Sequence, residues 1–321
     1  MATIAITGTR GFIGGLLLAR LCAQSPRPRV IAIDRTAPEL PRRNGYRFEG
    51  CDLTAPTADR QLARIFARHR CDVVVHAALH SQPKRNQDYS HELQSIGTFY
   101  LLHAVQATGM RKVIIASTTE VYGAFPDNPS FLTESHPLRG HTQSSYLRDK
   151  VEIEREATAF ARRTPGTVVT ILRPCTILGP RIRNYKTHLL KEPIIPTVLG
   201  FDPLVQFLHE ADAIEAFVLA IERDAPGAFN IVGRGVVPLS HALAMIGKTR
   251  LPLPTPWLRA ATSLLWHLDI RNTPPSHIEF MKYSCIGDGA RATAALGFQP
   301  QYTLAAVLES FQQGWGIRHV A

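Results

Sequence analysis

The sequence predicts an α/β chain built on a doubly wound parallel sheet, with a smaller C-terminal substrate lobe behind it. Two observations carry this. Short apolar runs alternate with helix-like segments over roughly the first 180 residues. A glycine-punctuated turn also joins the first of those runs to the first helix.

That turn is Thr7-Gly8-Thr9-Arg10-Gly11-Phe12-Ile13-Gly14, between the strand-like Thr3-Ile4-Ala5-Ile6 and the apolar Leu16-Leu17-Leu18-Ala19. Gly8 permits a tight strand-to-helix turn. Gly11 has no Cβ, so a pyrophosphate can approach the backbone, and Gly14 lets the helix pack close to the sheet. Free N–H groups at the helix start then face the phosphates. The next strand, Val30-Ile31-Ala32-Ile33, ends in Asp34, about twenty residues on, where an acid takes the adenosine ribose hydroxyls. A carboxylate repels a 2′-phosphate, so Asp34 favours NAD over NADP. Arg10 and Arg35 pull the other way, and a solvated strand end is the bland reading of Asp34.

Further along, a third strand ends over residues 48–53, a helix covers 60–69, and a fourth strand runs over 72–76. The small pair Ala77-Ala78 follows it and would let a cofactor lie close. A helix over 93–107, a strand over 112–117, a long helix over 146–162 and a strand over 167–173 complete a Rossmann-type domain at residues 1–180. After Pro180 prolines become frequent and the pattern loosens. Residues 181–321 read as the lobe, some of whose segments can return to the first domain; a helix over 210–222 and a strand over 229–232 are expected there. Trp257, Leu258, Ala261, Leu264, Leu265 and Leu268 have helical spacing. They predict lobe core, with an apolar lid as the functional alternative.

The 321 residues, 45% hydrophobic and 19% charged, are ordinary for a globular chain, and no apolar run reaches the length of a membrane span. The first strand starts at once, leaving no room for a signal peptide. Five cysteines, odd in number and without metal-ligand spacing, read as free buried thiols in a reducing compartment. A cytoplasmic protein with no metal site is therefore expected. The net charge of +10 invites nucleic acid, but Arg60, Arg64, Arg68 and Arg70 follow surface-helix spacing with no aromatic platform between them. A solvated basic face is expected instead, and the partner is a small-molecule substrate.

Chemistry concentrates at Tyr146-Leu147-Arg148-Asp149-Lys150. On a helix Tyr146 and Lys150 share a face, and a nearby ammonium lowers a phenol's pKa. The phenol can then exchange a proton with a substrate hydroxyl during hydride transfer. Ser117-Thr118-Thr119-Glu120-Val121-Tyr122-Gly123 places hydroxyls at a strand's carboxyl end, where Thr118 could hold the reacting oxygen.

Together these segments resemble an extended short-chain dehydrogenase/reductase, the family of nucleotide-sugar epimerases and dehydratases. The resemblance extends over His76-Ala77-Ala78, Arg173-Pro174 and Gly179-Pro180-Arg181. It implies a catalytic set of Thr118, Tyr146 and Lys150. It also implies a cofactor site of Gly8, Arg10, Gly11, Phe12, Ile13, Gly14, Asp34, Arg35, Asp52, Leu53, Ala77, Ala78 and Pro174, with Tyr146 and Lys150 contributing. Asp52 and Leu53 would meet the adenine, and Lys150 the nicotinamide ribose. Thr119, Glu120, Thr176 and Arg181 are the candidate substrate residues. A homodimer through helices 93–107 and 146–162 is also implied.

Departures from the family pattern bear on the substrate. Thr176 stands where an Asn is usual, and Gln94 where another Asn is. Val205 stands where an Arg clamps the diphosphate, and valine cannot make a charge-assisted bond to phosphate. Lys282 is the nearest cation before Gly287-Asp288, where a second Arg is expected. Thr119 replaces the dehydratase Asp and is a poor general acid, which disfavours dehydration. Glu120 could serve as an acid or make a structural hydrogen bond. Three functions follow: a nucleotide-sugar epimerase-type NAD enzyme, an NAD(P)-dependent ketoreductase or alcohol dehydrogenase for a smaller or more apolar substrate, and a cofactor-binding protein without turnover.

Overall fold

The computed structural model describes residues 2–41, 45–80, 83, 86–140, 144–270 and 273–316. The first half runs β1 (Thr3–Thr7), α1 (Phe12–Cys22), β2 (Arg29–Asp34), β3 (Tyr46–Gly50), α2 (Ala58–His69), β4 (Val73–His76), α3 (Gln87–His91), α4 (Gly97–Thr108), β5 (Lys112–Ala116), α5 (Ser145–Arg163) and β6 (Val168–Pro174). The remainder runs β7 (Thr176–Leu178), α6 (Tyr185–Lys191), β8 (Ile194–Val198), β9 (Leu204–Val205), β10 (Phe207–His209), α7 (Glu210–Glu222), β11 (Gly227–Ile231), β12 (Val237–Pro238), α8 (Leu239–Met245), β13 (Thr249–Leu253), α9 (Thr255–His267), α10 (His277–Phe280), α11 (Ala290–Leu296) and α12 (Leu304–Trp315).

Seven parallel strands form the central sheet in the order β11-β6-β5-β4-β1-β2-β3. Strands β1, β4 and β5 are buried along their whole length, as covering both sheet faces requires. Residues of α1 and α7 join one core cluster and those of α2, α4 and α5 the other. The chain reverses direction across the sheet between β1 and β4, which opens a crevice at their carboxyl ends.

Element positions agree with the sequence reading to within a few residues, with three differences. The third strand stops at Gly50, and Cys51–Leu53 lie beyond it. The expected helix over 93–107 is interrupted: a π-helical turn, Glu92–Ile96, precedes α4. Strand β11 pairs with β6 at one edge of the central sheet, and helix α7 packs into the core on that sheet's face. The physical link is visible at Lys112 on β5. Its buried ammonium donates to the carbonyls of Ala220, Ile221 and Arg223 at 3.0, 2.9 and 2.8 Å and pairs with Asp224 at 2.7 Å. A cation thereby satisfies the free carbonyls at the end of α7.

Two further expectations need correcting. Of the apolar residues on α9 and just past it, only Leu258 is buried, packed with Val198, Ile278 and Met281. Trp257, Leu264 and Leu268 are 71%, 59% and 58% exposed, so this stripe is not lobe core. The core is instead Leu178, Phe207, Leu243, Ile246, Leu308 and Phe311 with their neighbours. All five cysteines are free, but Cys71 and Cys285 are only half-buried.

Helix α5 is held down by a buried ion pair. Glu154 on its inner face, 1% exposed, meets Arg173 of β6, with Nε 3.0 Å from each carboxylate oxygen and Nη2 2.5 Å from Oε2. Ser117 donates to the same carboxylate. The second arm of Arg173 donates to the Tyr122 hydroxyl at 2.6 Å, which donates in turn to Asn230 Oδ1 at 2.8 Å. Burial pulls the Arg173 pKa down, but Glu154 and Tyr122 outweigh it and the net shift is upward. Removing one partner of such a pair leaves an uncompensated buried charge. Glu154→Ala is therefore expected to lower unfolding stability in urea by about 3–5 kcal/mol, and the double replacement Glu154→Leu, Arg173→Met by much less. Equal losses in the two variants would refute this account of the pair.

Candidate active site

A continuous groove runs along the carboxyl ends of the sheet strands and on into the lobe. Its first section is lined by Gly8, Arg10, Gly11, Asp34, Arg35, Leu53, Ala77 and Ala78, together with Cys51, Tyr89 and Leu93. The middle section is lined by Phe12, Ile13, Thr118, Glu120, Tyr146, Lys150, Pro174 and Thr176, and also by Tyr185 and Lys186. Gly11, Ala77, Leu79 and His80 border both sections.

The turn after β1 has the geometry that its glycines predict. Gly8 has φ +74, and a Cβ there would lie 2.5 Å from the Ala78 Cα and 2.6 Å from the Ala77 carbonyl oxygen. A Cβ on Gly11 would lie 3.0 Å from the Gly8 oxygen, and one on Gly14 would strike that same carbonyl. Gly14 thus serves the helix-to-turn contact. Helix α1 starts at Phe12 with no side chain capping it and no acid in its first turn, which leaves its N–H groups for an anion. These features fit a dinucleotide: the cradle has room only where side chains are missing.

Asp34 ends β2 with both carboxylate oxygens on backbone donors, the Arg10 N–H at 2.9 Å and the Arg35 N–H at 2.8 Å. The two guanidinium groups that could welcome a 2′-phosphate are already engaged. Arg10 donates to Thr36 at 2.9 Å; Arg35 donates to the Tyr89 hydroxyl at 3.0 Å and pairs with Asp52 at 3.2 Å. Asp52 itself does not line the groove. Its carboxylate accepts from the Thr54 N–H and hydroxyl at 3.0 and 2.8 Å, and Cys51 lines the wall beside Leu53.

Helix α5 begins behind Ser144, whose hydroxyl accepts from the Leu147 N–H at 3.3 Å. One helical turn apart, Tyr146 and Lys150 face the groove from its buried side. Lys150 Nζ lies 5.8 Å from the centre of the Tyr146 ring. Burial lowers the Lys150 ammonium to about 8, against the raising pull of Glu154, Asp149 and Glu120. The expected lowering of Tyr146 by Lys150 is not what the site does. Burial first, and then the Glu120 carboxylate, push the phenol up. Tyr146 is therefore a neutral phenol near neutral pH. Across the groove Thr118 closes β5, its hydroxyl accepting from the Glu120 N–H at 3.3 Å.

The substrate candidates divide. Glu120 forms an ion pair with Lys186, which also donates to the Thr176 hydroxyl at 3.0 Å; all three line the middle groove and its continuation into the lobe. Glu120 thus makes the structural contact that was the alternative to an acid role. Thr119 lines the lobe continuation alone. Arg181 lines neither section, because Glu210 holds its guanidinium at 2.7 Å while the side chain stays 64% exposed. Lys186 and Tyr185 were missed by the sequence reading. A usable signal was present: Asn184 and Thr187 form a reciprocal cap at 3.0 and 2.9 Å, and that pattern marks the start of α6. Away from the groove, His91, Asp149 and Glu152 gather on the α3–α5 face, where His91 lies 3.0 Å from Asp149.

This sheet, glycine turn and Tyr–Lys helix together define an extended short-chain dehydrogenase/reductase. A model of the NAD dependent epimerase/dehydratase family matches residues 4–232, and the chain belongs to that family. A Mycobacterium tuberculosis protein described as uncharacterized is 32% identical over 320 residues, covering 98% of this chain and 84% of its own. The 3-diazoavenalumate denitrifying reductase of a Streptomyces species is 26% identical over 317 residues, covering 93% and 96%. Among solved structures, Thermotoga maritima UDP-glucose 4-epimerase with UDP-glucose superimposes with a TM-score of 0.74 at 21% identity, over 98% of both chains.

The Asp34 geometry generates a test of cofactor choice. Asp34→Ala is expected to weaken NAD binding by about tenfold or more, as loss of a charged hydrogen-bond acceptor does, and NADP binding by less. Calorimetry with both cofactors checks this, and an unchanged NAD-to-NADP ratio would count against the assignment.

Proposed function

We propose that the chain is an NAD-dependent hydride-transfer enzyme that interconverts a secondary alcohol and a ketone, with Tyr146, Lys150 and Thr118 as its acid–base set. The observation that carries this reading is that these three side chains meet in the groove section next to the uncapped start of α1. The residues proposed to hold the dinucleotide are Gly8, Gly11, Phe12, Ile13, Ala77, Ala78 and Pro174 along the groove, with Asp34 at the adenosine end. Bound NAD would supply the hydride carrier and, in its oxidised form, positive charge beside the reacting carbon.

The chain's own groups handle the oxygen and its proton. Thr118 holds the oxygen by a hydroxyl hydrogen bond. Tyr146, kept neutral by burial, gives its proton to a carbonyl oxygen as the alcohol forms, and accepts one in the reverse direction. Lys150, with its proton below about pH 8, supplies the positive charge that makes the phenolate left behind less costly.

Whether the oxidised substrate is re-reduced on its other face, as in a nucleotide-sugar epimerase, or released, as by a ketoreductase or alcohol dehydrogenase, depends on the lobe. Family likeness supports the first. The second draws support from Val205 in the lobe wall, where a diphosphate-clamping arginine is expected. A homodimer through α4 and α5 belongs to the same proposal; the two helices pack side by side, and Phe99 on α4 is 41% exposed.

Tyr146→Phe is expected to lose at least about a hundredfold in rate while still binding NAD by calorimetry. Near-normal turnover in that variant would sink the assignment. The pH profile gives an independent check. Ketone reduction should fall as pH rises through about 8, where Lys150 loses its proton, and Lys150→Met should lack that limb. Persistence of the same limb in Lys150→Met would point to another group.

A further inference from the structure

Beyond Glu120 and Lys186 the groove opens into a chamber inside the lobe. Its wall is hydrocarbon, made chiefly by Leu189, Val205, Phe207, Leu243, Phe280 and Ile286. We infer that the substrate is a ketone or secondary alcohol carrying an uncharged hydrocarbon or aryl arm, and that this arm, not a nucleoside diphosphate, fills the chamber.

The charged groups of the wall, and several of its neutral polar ones, already have partners among themselves. Glu120, Lys186 and Thr176 bond one another at the entrance. Gln206 exchanges hydrogen bonds with the Gly287 backbone at 3.2 and 3.4 Å. The Cys285 thiol, pushed up by burial, donates to the Thr119 carbonyl at 3.4 Å. His277 lies 3.4 Å from the Tyr185 hydroxyl, and burial lowers its pKa to about 3, so the ring is neutral.

A nucleoside diphosphate would bring two or more negative charges into this space. Lys186 is the one cation among the described lining residues, and Glu120 has neutralised it. Lys282 does not line the chamber; it turns to Glu279 at 3.4 Å and lies against the Phe201 and Tyr283 rings. Phosphate oxygens entering here would leave water for no charged donor, and burying a charge without a partner opposes binding strongly. An alkyl or aryl arm has the opposite balance, because each methylene that leaves water for this wall favours binding.

The chamber meets the middle groove at Glu120, Cys175, Thr176 and Lys186, and Tyr146 lines that middle section. A carbonyl held by Tyr146 and Thr118 would thus send its substituent past the Glu120–Lys186 pair into the lobe. The inference rests on the hydride-transfer reading only in placing the reacting carbon there; the chemistry of the chamber stands apart from it.

The test separates the two. Straight-chain methyl ketones from butanone upward are titrated into the NADH-loaded enzyme by calorimetry, and their reduction is followed in parallel. UDP, dTDP and GDP are titrated with NAD present. Affinity is expected to rise about fourfold per added methylene until the chamber is full, from the transfer free energy of a buried methylene. The nucleotides are expected not to bind. Val205→Arg and Phe280→Ser, both at half-buried positions, should each flatten the chain-length dependence.

A flat series in the wild-type protein, or micromolar binding of any of the three nucleotides, overturns the inference. Chain-length-dependent binding without NADH oxidation keeps it and rejects the hydride-transfer reading instead.

Discussion

The ion pair between Glu154 and Arg173 is the contact on which the candidate site depends. It sits one helical turn past Lys150 on the same buried face of α5, and ties that face to β6 and, through Ser117, to the end of β5. Tyr146 and Lys150 can meet Thr118 only if the start of α5 is fixed against those strand ends. An apolar contact would hold the helix down but would tolerate sliding. A forked guanidinium on a carboxylate does not, because its donors lie in one plane at fixed angles. The pair extends through Tyr122 to Asn230 on β11, which also donates to the carbonyls of Leu132 and Asp288. The same network thus reaches from the helix bearing Tyr146 and Lys150 to the edge strand β11 and the segments around Leu132 and Asp288.

Electrostatics along the groove change in stages. At the candidate adenosine end, each Asp34 oxygen accepts one backbone N–H and keeps a lone pair free, while the nearby arginines have other partners. In the middle, burial acts in opposite directions on two neighbours: it raises the phenol of Tyr146 and lowers the ammonium of Lys150. Both shifts favour the neutral form, as desolvation must. At the lobe end the charges that remain cancel each other as Glu120–Lys186, and the wall beyond is apolar. The third stage is what the proposed substrate class rests on, since fold alone does not choose a substrate.

Much of the fold could be read along the chain, for physical reasons. Parallel strands buried on both faces read as near-continuous apolar runs, as in residues 73–75 and 113–116, and such runs are visible residue by residue. Glycines forced by close backbone approach are also local, and Gly8, Gly11 and Gly14 stand where their spacing implied. The pairing of Tyr146 with Lys150 follows from helical geometry alone.

Other features depend on what lies opposite in space. The apolar spacing of Trp257, Leu264 and Leu268 is the same whether the stripe is covered or not, so only the packing of α9 exposes it. Arg181 keeps its motif position, but Glu210, far away in sequence, turns it out of the groove. Lys186 enters the site because α6 brings it against Glu120, a pairing between distant parts of the chain that no local pattern encodes. The sequence by itself thus determined the sheet strands, the glycine turn and the helix that sets Tyr146 beside Lys150, since each is set by neighbours within a few residues. Only the tertiary structure decided the ionisation of Tyr146 and the apolar character of the lobe chamber, because burial and charge pairing are properties of the assembled surroundings.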